Sequence, residues 1–154
     1  MEDINKLYDI YAKDIYKFIM SIALNHEVAE DIMRSTFLSA IKSIHTFKGH
    51  SSVKTWLFGI AKNEYYTYLR KNPRNLKLED INEIHYIQEN NELYMSIMKK
   101  IKELKEPQKQ IVILRIINDM SFAEIGEVVG KSENYCRVNF FREKQKLWED
   151  IKNE

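Results

Sequence analysis

The chain has 154 residues, with 24 basic and 23 acidic side chains, four glycines, two prolines and one cysteine. That length suits one ordinary domain or two small ones, a lone cysteine excludes an internal disulfide and agrees with a reducing compartment, and so few breakers predict an almost wholly helical fold. No apolar run nears the roughly 20 residues that span a bilayer, and the acidic start is unlike a secretion signal, so the expectation is a cytoplasmic protein without membrane insertion.

Ile4, Leu7, Tyr8, Tyr11, Ile15, Phe18, Ile19 and Ile22 recur at period 3.6 and predict a first helix that ends near Leu24. Asn25 is placed to cap a second helix, in which Val28, Ile32, Phe37, Ala40, Ile41 and Ile44 continue the pattern to about Thr46. The run from Phe47 to Ser52 breaks the period. A third helix from Val53 carries Trp56, Leu57, Ile60, Ala61, Tyr65, Tyr68 and Leu69 until Asn72-Pro73 stops it.

The stretch from Asn75 to Asn91 is acidic and asparagine-rich, holds no sustained apolar stripe, and is expected to be a linker. Beyond it Leu93, Ile97, Met98, Ile101 and Leu104 predict a fourth helix, and Pro107 opens a fifth with Ile111, Val112, Leu114 and Ile117. Asn118-Asp119 turns the chain into its most informative segment. There Ser121 and Glu124 have capping-box spacing, Ile125, Val128 and Val129 form one apolar face, and Gly130 supplies a sharp stop. Ser132 can cap the next helix, whose polar positions are free to enter a major groove. This is the pattern of a helix-turn-helix.

The near-neutral total hides a segregated charge. Residues 42–74 carry seven basic groups and one acid, whereas residues 1–41 carry four basic and seven acidic groups and residues 75–92 one and five. Lys48, Lys54, Lys62, Arg70, Lys71 and Arg74 are interleaved with Phe47, His50, Trp56, Tyr65, Tyr66 and Tyr68. Aromatic planes beside positive charge suit unstacked bases, each stacking contact contributing about 1–3 kcal/mol. Trp56 is placed on the core side of its helix; Tyr66 and His50 are better placed for exposure. His26, His45, His50 and His85 lack ligand spacing, and no phosphate loop, nucleophile elbow or dinucleotide turn is present, so no catalytic site, metal or cofactor is expected.

Taken together the motifs resemble the extracytoplasmic-function (ECF) class of bacterial sigma-70 factors, the smallest sigma subunits of RNA polymerase. Leu7-Tyr-Asp-Ile-Tyr11, Ala29-Glu-Asp-Ile32, Thr36-Phe37 and the run from Phe47 to Leu57 look like region 2; Leu104 to Gln108, Ile111 to Arg115 and Ser121 to Arg142 look like region 4. The resemblance implies an all-α chain of two small domains, region 2 over 1–73 and region 4 over 93–154, joined by an acidic linker over 74–92. It further implies that Glu30, Asp31, Arg34 and Phe37 meet core RNA polymerase. Phe47, Lys48, His50, Ser51, Lys54, Lys62 and Tyr66 would recognise and open the −10 element of promoter DNA. Ser132, Asn134, Arg137, Val138, Phe141, Arg142 and Lys144 would read the −35 element. An anti-sigma factor is an implied partner, and Cys136 falls where the family has a buried aliphatic residue. The chain departs from the family pattern at Arg34-Ser35, where Gln-Glu is common, and at Val138-Asn139, where a small polar residue and a basic one are frequent. Two other readings fit the motifs: a conventional helix-turn-helix regulator that binds duplex DNA alone, and a sigma-like interaction protein that does not open promoters.

Overall fold

The computed structural model describes residues 4–73 and 92–153, which form two compact units of helices with no strand among the described residues. In the first unit α1 (Ile4–Ala23), α2 (His26–Ser43) and α3 (Val53–Lys71) each pack on the other two. Side-chain caps set the boundaries: Asn25 Oδ1 accepts the Val28 N–H at 3.0 Å, and Ser52 Oγ accepts the Thr55 N–H at 3.1 Å. Each such cap contributes about 1 kcal/mol and satisfies an amide that no preceding turn can reach. A short 3₁₀ turn, Ile44–Thr46, ends the second helix earlier than its apolar pattern suggests. Ile15, Phe18, Ile19, Ile32, Leu57, Phe58 and Ala61 form the core, where Phe18 and Phe58 meet at 5.5 Å between ring centroids.

The second unit contains α4 (Glu92–Lys102), α5 (Gln108–Ile116), α6 (Phe122–Val129) and α7 (Glu133–Lys152). Pro107 stands just before α5, as its fixed backbone angle and missing N–H favour. The capping box forms in full: Ser121 Oγ accepts the Glu124 N–H at 3.1 Å, and the Ser121 N–H donates to Glu124 Oε1 at 2.9 Å. Gly130 adopts φ 74°, a left-handed turn that releases the chain into α7, which Ser132 caps. Gly126 is required for a different reason: a Cβ there would lie 2.5 Å from the Lys131 carbonyl oxygen, so only glycine lets the turn fold this closely over α6. Met98, Ile101, Ile111, Leu114, Met120, Ile125, Val128, Cys136 and Leu147 fill the core. The linker expected over 74–92 lies, apart from Glu92 at the start of α4, outside the described residues.

Candidate nucleic-acid interfaces

On α7 the buried residues Cys136, Asn139, Phe140, Glu143 and Leu147 share one side of the helix. The positions expected at a groove, Asn134, Arg137, Val138, Phe141, Arg142 and Lys144, are all exposed and fall on the other side at helical spacing. Ser132 is exposed as well, with its hydroxyl engaged as the cap. Arg137 Nη2 donates to Glu133 Oε1 at 2.8 Å, and its guanidinium carbon lies 5.5 Å from the Phe122 centroid. Phe141 packs on Phe122 and Phe140, and Lys144 Nζ sits 5.8 Å from its ring. Farther along, Phe141, Lys144, Gln145 and Trp148 line a shallow apolar depression.

Besides Glu143, Asn139 and Tyr135 of this helix face inward. Asn139 is 8 % exposed and Tyr135 half-buried, because Gln108 reaches across from α5 to both side chains. Asn139 is thus withdrawn from the face open to a groove. Cys136 is fully buried, and that burial pushes its thiol above the ordinary range.

The loop after the 3₁₀ turn exposes Lys48 and His50 and half-buries Phe47 and Ser51. Phe47 stacks obliquely on Trp56 with centroids 5.0 Å apart. Trp56 is half-buried and lies off the stripe formed by Leu57, Phe58, Ala61 and Tyr65, in line with Asn63 and Arg70 at seven-residue steps. The side-chain pattern counted it as core because it is apolar; its phase along α3 is the signal that separates it. Lys62 and Tyr66 stand one turn apart on the flank of α3, both partly buried, and desolvation lowers the Lys62 amine from its usual range. Lys54 lies in the first turn, so the seven expected −10 residues divide among the loop, that turn and the flank with Lys62 and Tyr66.

On α2, Arg34 donates to Asp31 at 3.0 Å and to Glu30 at 3.3 Å, while Glu30 also lies 3.1 Å from His26 Nε2. Tyr16 of α1 shares a hydrogen bond with the other ring nitrogen of His26. Surface pairs of this kind contribute little stability, so the cluster is better understood as an arranged polar surface. Phe37 does not belong to it. It is 5 % exposed and packs edge-on against Tyr8, whereas Leu38 and Ile41 are 59 % and 52 % exposed and line up with Asp31 and Arg34. Phe37 therefore offers almost no surface, whereas these two neighbours do, because the core-facing side of α2 runs through Ala29, Ile32, Thr36, Phe37 and Ala40.

Among the described residues no group of three or more histidine, cysteine, aspartate or glutamate side chains could hold a metal ion, and no helix is long and apolar enough to cross a membrane.

Residues 7–75 match the family described as Sigma-70 region 2, and residues 94–147 match Sigma-70, region 4. The chain belongs to the sigma-70 family, in its ECF class. Similar proteins include the ECF RNA polymerase sigma factor SigM of Bacillus subtilis, 26 % identical over 94 % of this chain and 92 % of that one. The RNA polymerase sigma factor YlaC of the same bacterium is 27 % identical over 95 % of this chain and 90 % of its own length. The fold is shared with the sigma factor RpoE of Bartonella quintana, solved in complex with the anti-sigma factor NepR, at a TM-score of 0.77 and 21 % identity over 99 % of this chain and 98 % of that one.

Within this sigma factor, the region 2 match spans α1 to α3 and the region 4 match ends on α7. The exposed side of α7 up to Leu147 therefore lies in region 4, and the Phe47–Trp56 pair in region 2.

Proposed function

We propose that the chain acts as a dissociable specificity subunit of bacterial RNA polymerase rather than as an enzyme, with three surfaces in separate roles. The side of α2 bearing Asp31, Arg34, Leu38 and Ile41, with Glu30 beside it, meets core polymerase. The loop from Phe47 to Ser51, with Lys54, Trp56, Lys62 and Tyr66, holds the opened −10 element. The outer side of α7 from Ser132 to Lys144 reads the −35 element in the major groove. Family membership also supports a cytoplasmic site of action and control by an anti-sigma factor.

The observation that carries this reading is the pairing of an exposed recognition face on α7 with a basic, aromatic-lined loop in the other unit. A conventional regulator needs only the first. Stacking in duplex DNA is worth about 1.4 kcal/mol per step, so opening some ten steps requires on the order of 14 kcal/mol, which a protein this small supplies only as part of a larger assembly.

The test is run-off transcription with purified bacterial core polymerase on the promoter of this protein's own gene, comparing the native chain with Arg137→Ala. A transcript that depends on the chain and falls with the substitution supports the proposal. Duplex footprinting by the chain alone, with no transcript, would point to a conventional regulator. Polymerase binding without transcription on this or other promoters would point to an interaction protein that does not open DNA.

A further inference from the structure

The face of α7 that would approach DNA carries a carboxylate in its first turn, Glu133, whose side chain is 53 % exposed. A negative charge there opposes a polyanion. Part of its presence follows from the helix dipole, which favours an acid near an N-terminus. The dipole does not explain its direction, since the Glu133 carboxylate turns away from the helix end and along the helix to Arg137 at 2.8 Å, while Ser132 caps the Tyr135 amide. Arg137 has a second restraint. Its guanidinium lies against Phe122, a ring 8 % exposed that also carries Arg115 at 4.3 Å, with Arg115 itself anchored to the Met120 carbonyl at 2.8 Å.

We infer that Glu133 is a positioning residue for sequence specificity: it holds the Arg137 guanidinium toward base edges and keeps it from the phosphates. This rests on the reading that α7 enters the −35 groove. An arginine side chain is long enough to reach either target, and a phosphate contact adds affinity without sequence information. Guanine recognition needs the planar fork fixed in the plane of the base pair. Glu133 takes one of the five guanidinium N–H groups and leaves the others for that purpose. Its charge also repels the phosphates that would draw Arg137 aside. The pair is weak in open water, and it strengthens in a groove from which water has been displaced.

The experiment measures equilibrium binding of reconstituted holoenzyme to promoter fragments in which the −35 element is changed one base pair at a time, over a range of salt, for the native chain, Arg137→Ala and Glu133→Gln. Glu133→Gln keeps size and removes the charge. It is expected to tighten binding to unrelated DNA several-fold and to steepen the log–log salt slope by about 0.9 as Arg137 gains a phosphate contact. It is also expected to lower discrimination by roughly tenfold at the base pair where Arg137→Ala abolishes it. If Arg137→Ala flattens one position while Glu133→Gln leaves the ratio and the salt slope unchanged, the inference falls and the −35 reading stands. If the native holoenzyme does not distinguish the fragments, or Arg137→Ala changes nothing, the −35 reading falls and the inference with it. A loss of melting temperature in Glu133→Gln with the ratio preserved would assign Glu133 to helix stability alone and would also overturn the inference.

Discussion

Gln108 on α5 donates its side-chain amide to Oδ1 of Asn139 on α7 at 3.1 Å, and Asn139 in turn donates to the Tyr135 carbonyl at 2.8 Å. An asparagine in the middle of α7 is thereby a fastening between helices. Asn139→Ala should cost about 1 kcal/mol by leaving the Gln108 amide only its longer bond to the Tyr135 hydroxyl, yet leave discrimination among −35 sequences unchanged. Chemical denaturation and holoenzyme binding check the two halves separately. Lost discrimination with full stability would contradict this placement.

Phe37 and Leu38 are adjacent in sequence and opposite in surroundings. Phe37→Ala empties a packed position beside Tyr8 and should cost about 3–5 kcal/mol. Leu38→Asp alters an exposed side chain, so stability should stay within about 0.5 kcal/mol while affinity for core polymerase falls at least several-fold. Thermal melts together with competition for core against the native chain test this. Equal core affinity for Leu38→Asp would remove that surface from the interface.

Two glycines that sit inside helices should respond in opposite directions to alanine. At Gly59 a Cβ meets nothing within 4 Å, so Gly59→Ala should stabilise the first unit by about 0.5–1 kcal/mol through reduced chain entropy. At Gly126 the Cβ would strike the Lys131 carbonyl, and Gly126→Ala should destabilise the second unit by about 1–3 kcal/mol. Denaturation followed by circular dichroism gives both signs.

Cys136 should behave as a buried core thiol. With its acidity suppressed by burial, it should not react with a disulfide reagent in the native state, and labelling should begin only on unfolding. The sign of the pH effect follows: the unfolded thiol ionises near about pH 8.5 while the folded one stays protonated. Stability is therefore retained below that range and declines as pH rises through it toward the folded value. Denaturant midpoints measured from neutral to alkaline pH on the native chain and on Cys136→Ala test this; a decline of equal size in both would assign it to other groups. Rapid native labelling would contradict the burial itself.

The helices were legible because their signals are local. Asn25, Ser121, Ser132 and Gly130 act on amides and dihedral angles within four residues of themselves, and each does in the structure what its type and spacing imply. The faces were harder to read, because they depend on phase against partners distant in sequence. Trp56 and Ile41 are apolar and were counted with the core, yet both lie off the buried stripe of their helices. Asn139 is polar, a type that favours the surface, yet Gln108, 31 residues earlier, draws it inward. Composition reports what a side chain prefers, and only packing decides where it goes. The exposed side of α7 from Asn134 to Lys144 follows from helical phase, although Val138 and Phe141 on it are apolar.

The chain has two tryptophans, and they stand in contrasting settings, one in each unit: Trp56 is stacked on Phe47, and Trp148 is 57 % exposed near the Lys152 amine. The protein thus comes with its own pair of optical probes. Emission from Trp148 will lie toward the red and be quenched by small solutes, whereas Trp56 is partly shielded by a neighbouring ring on the loop proposed to hold single-stranded DNA. Replacing either one with phenylalanine isolates the other. In the variant that keeps only Trp56, the fluorescence of the free subunit gives a baseline against which the arrival of an unpaired base can be timed as promoter DNA opens.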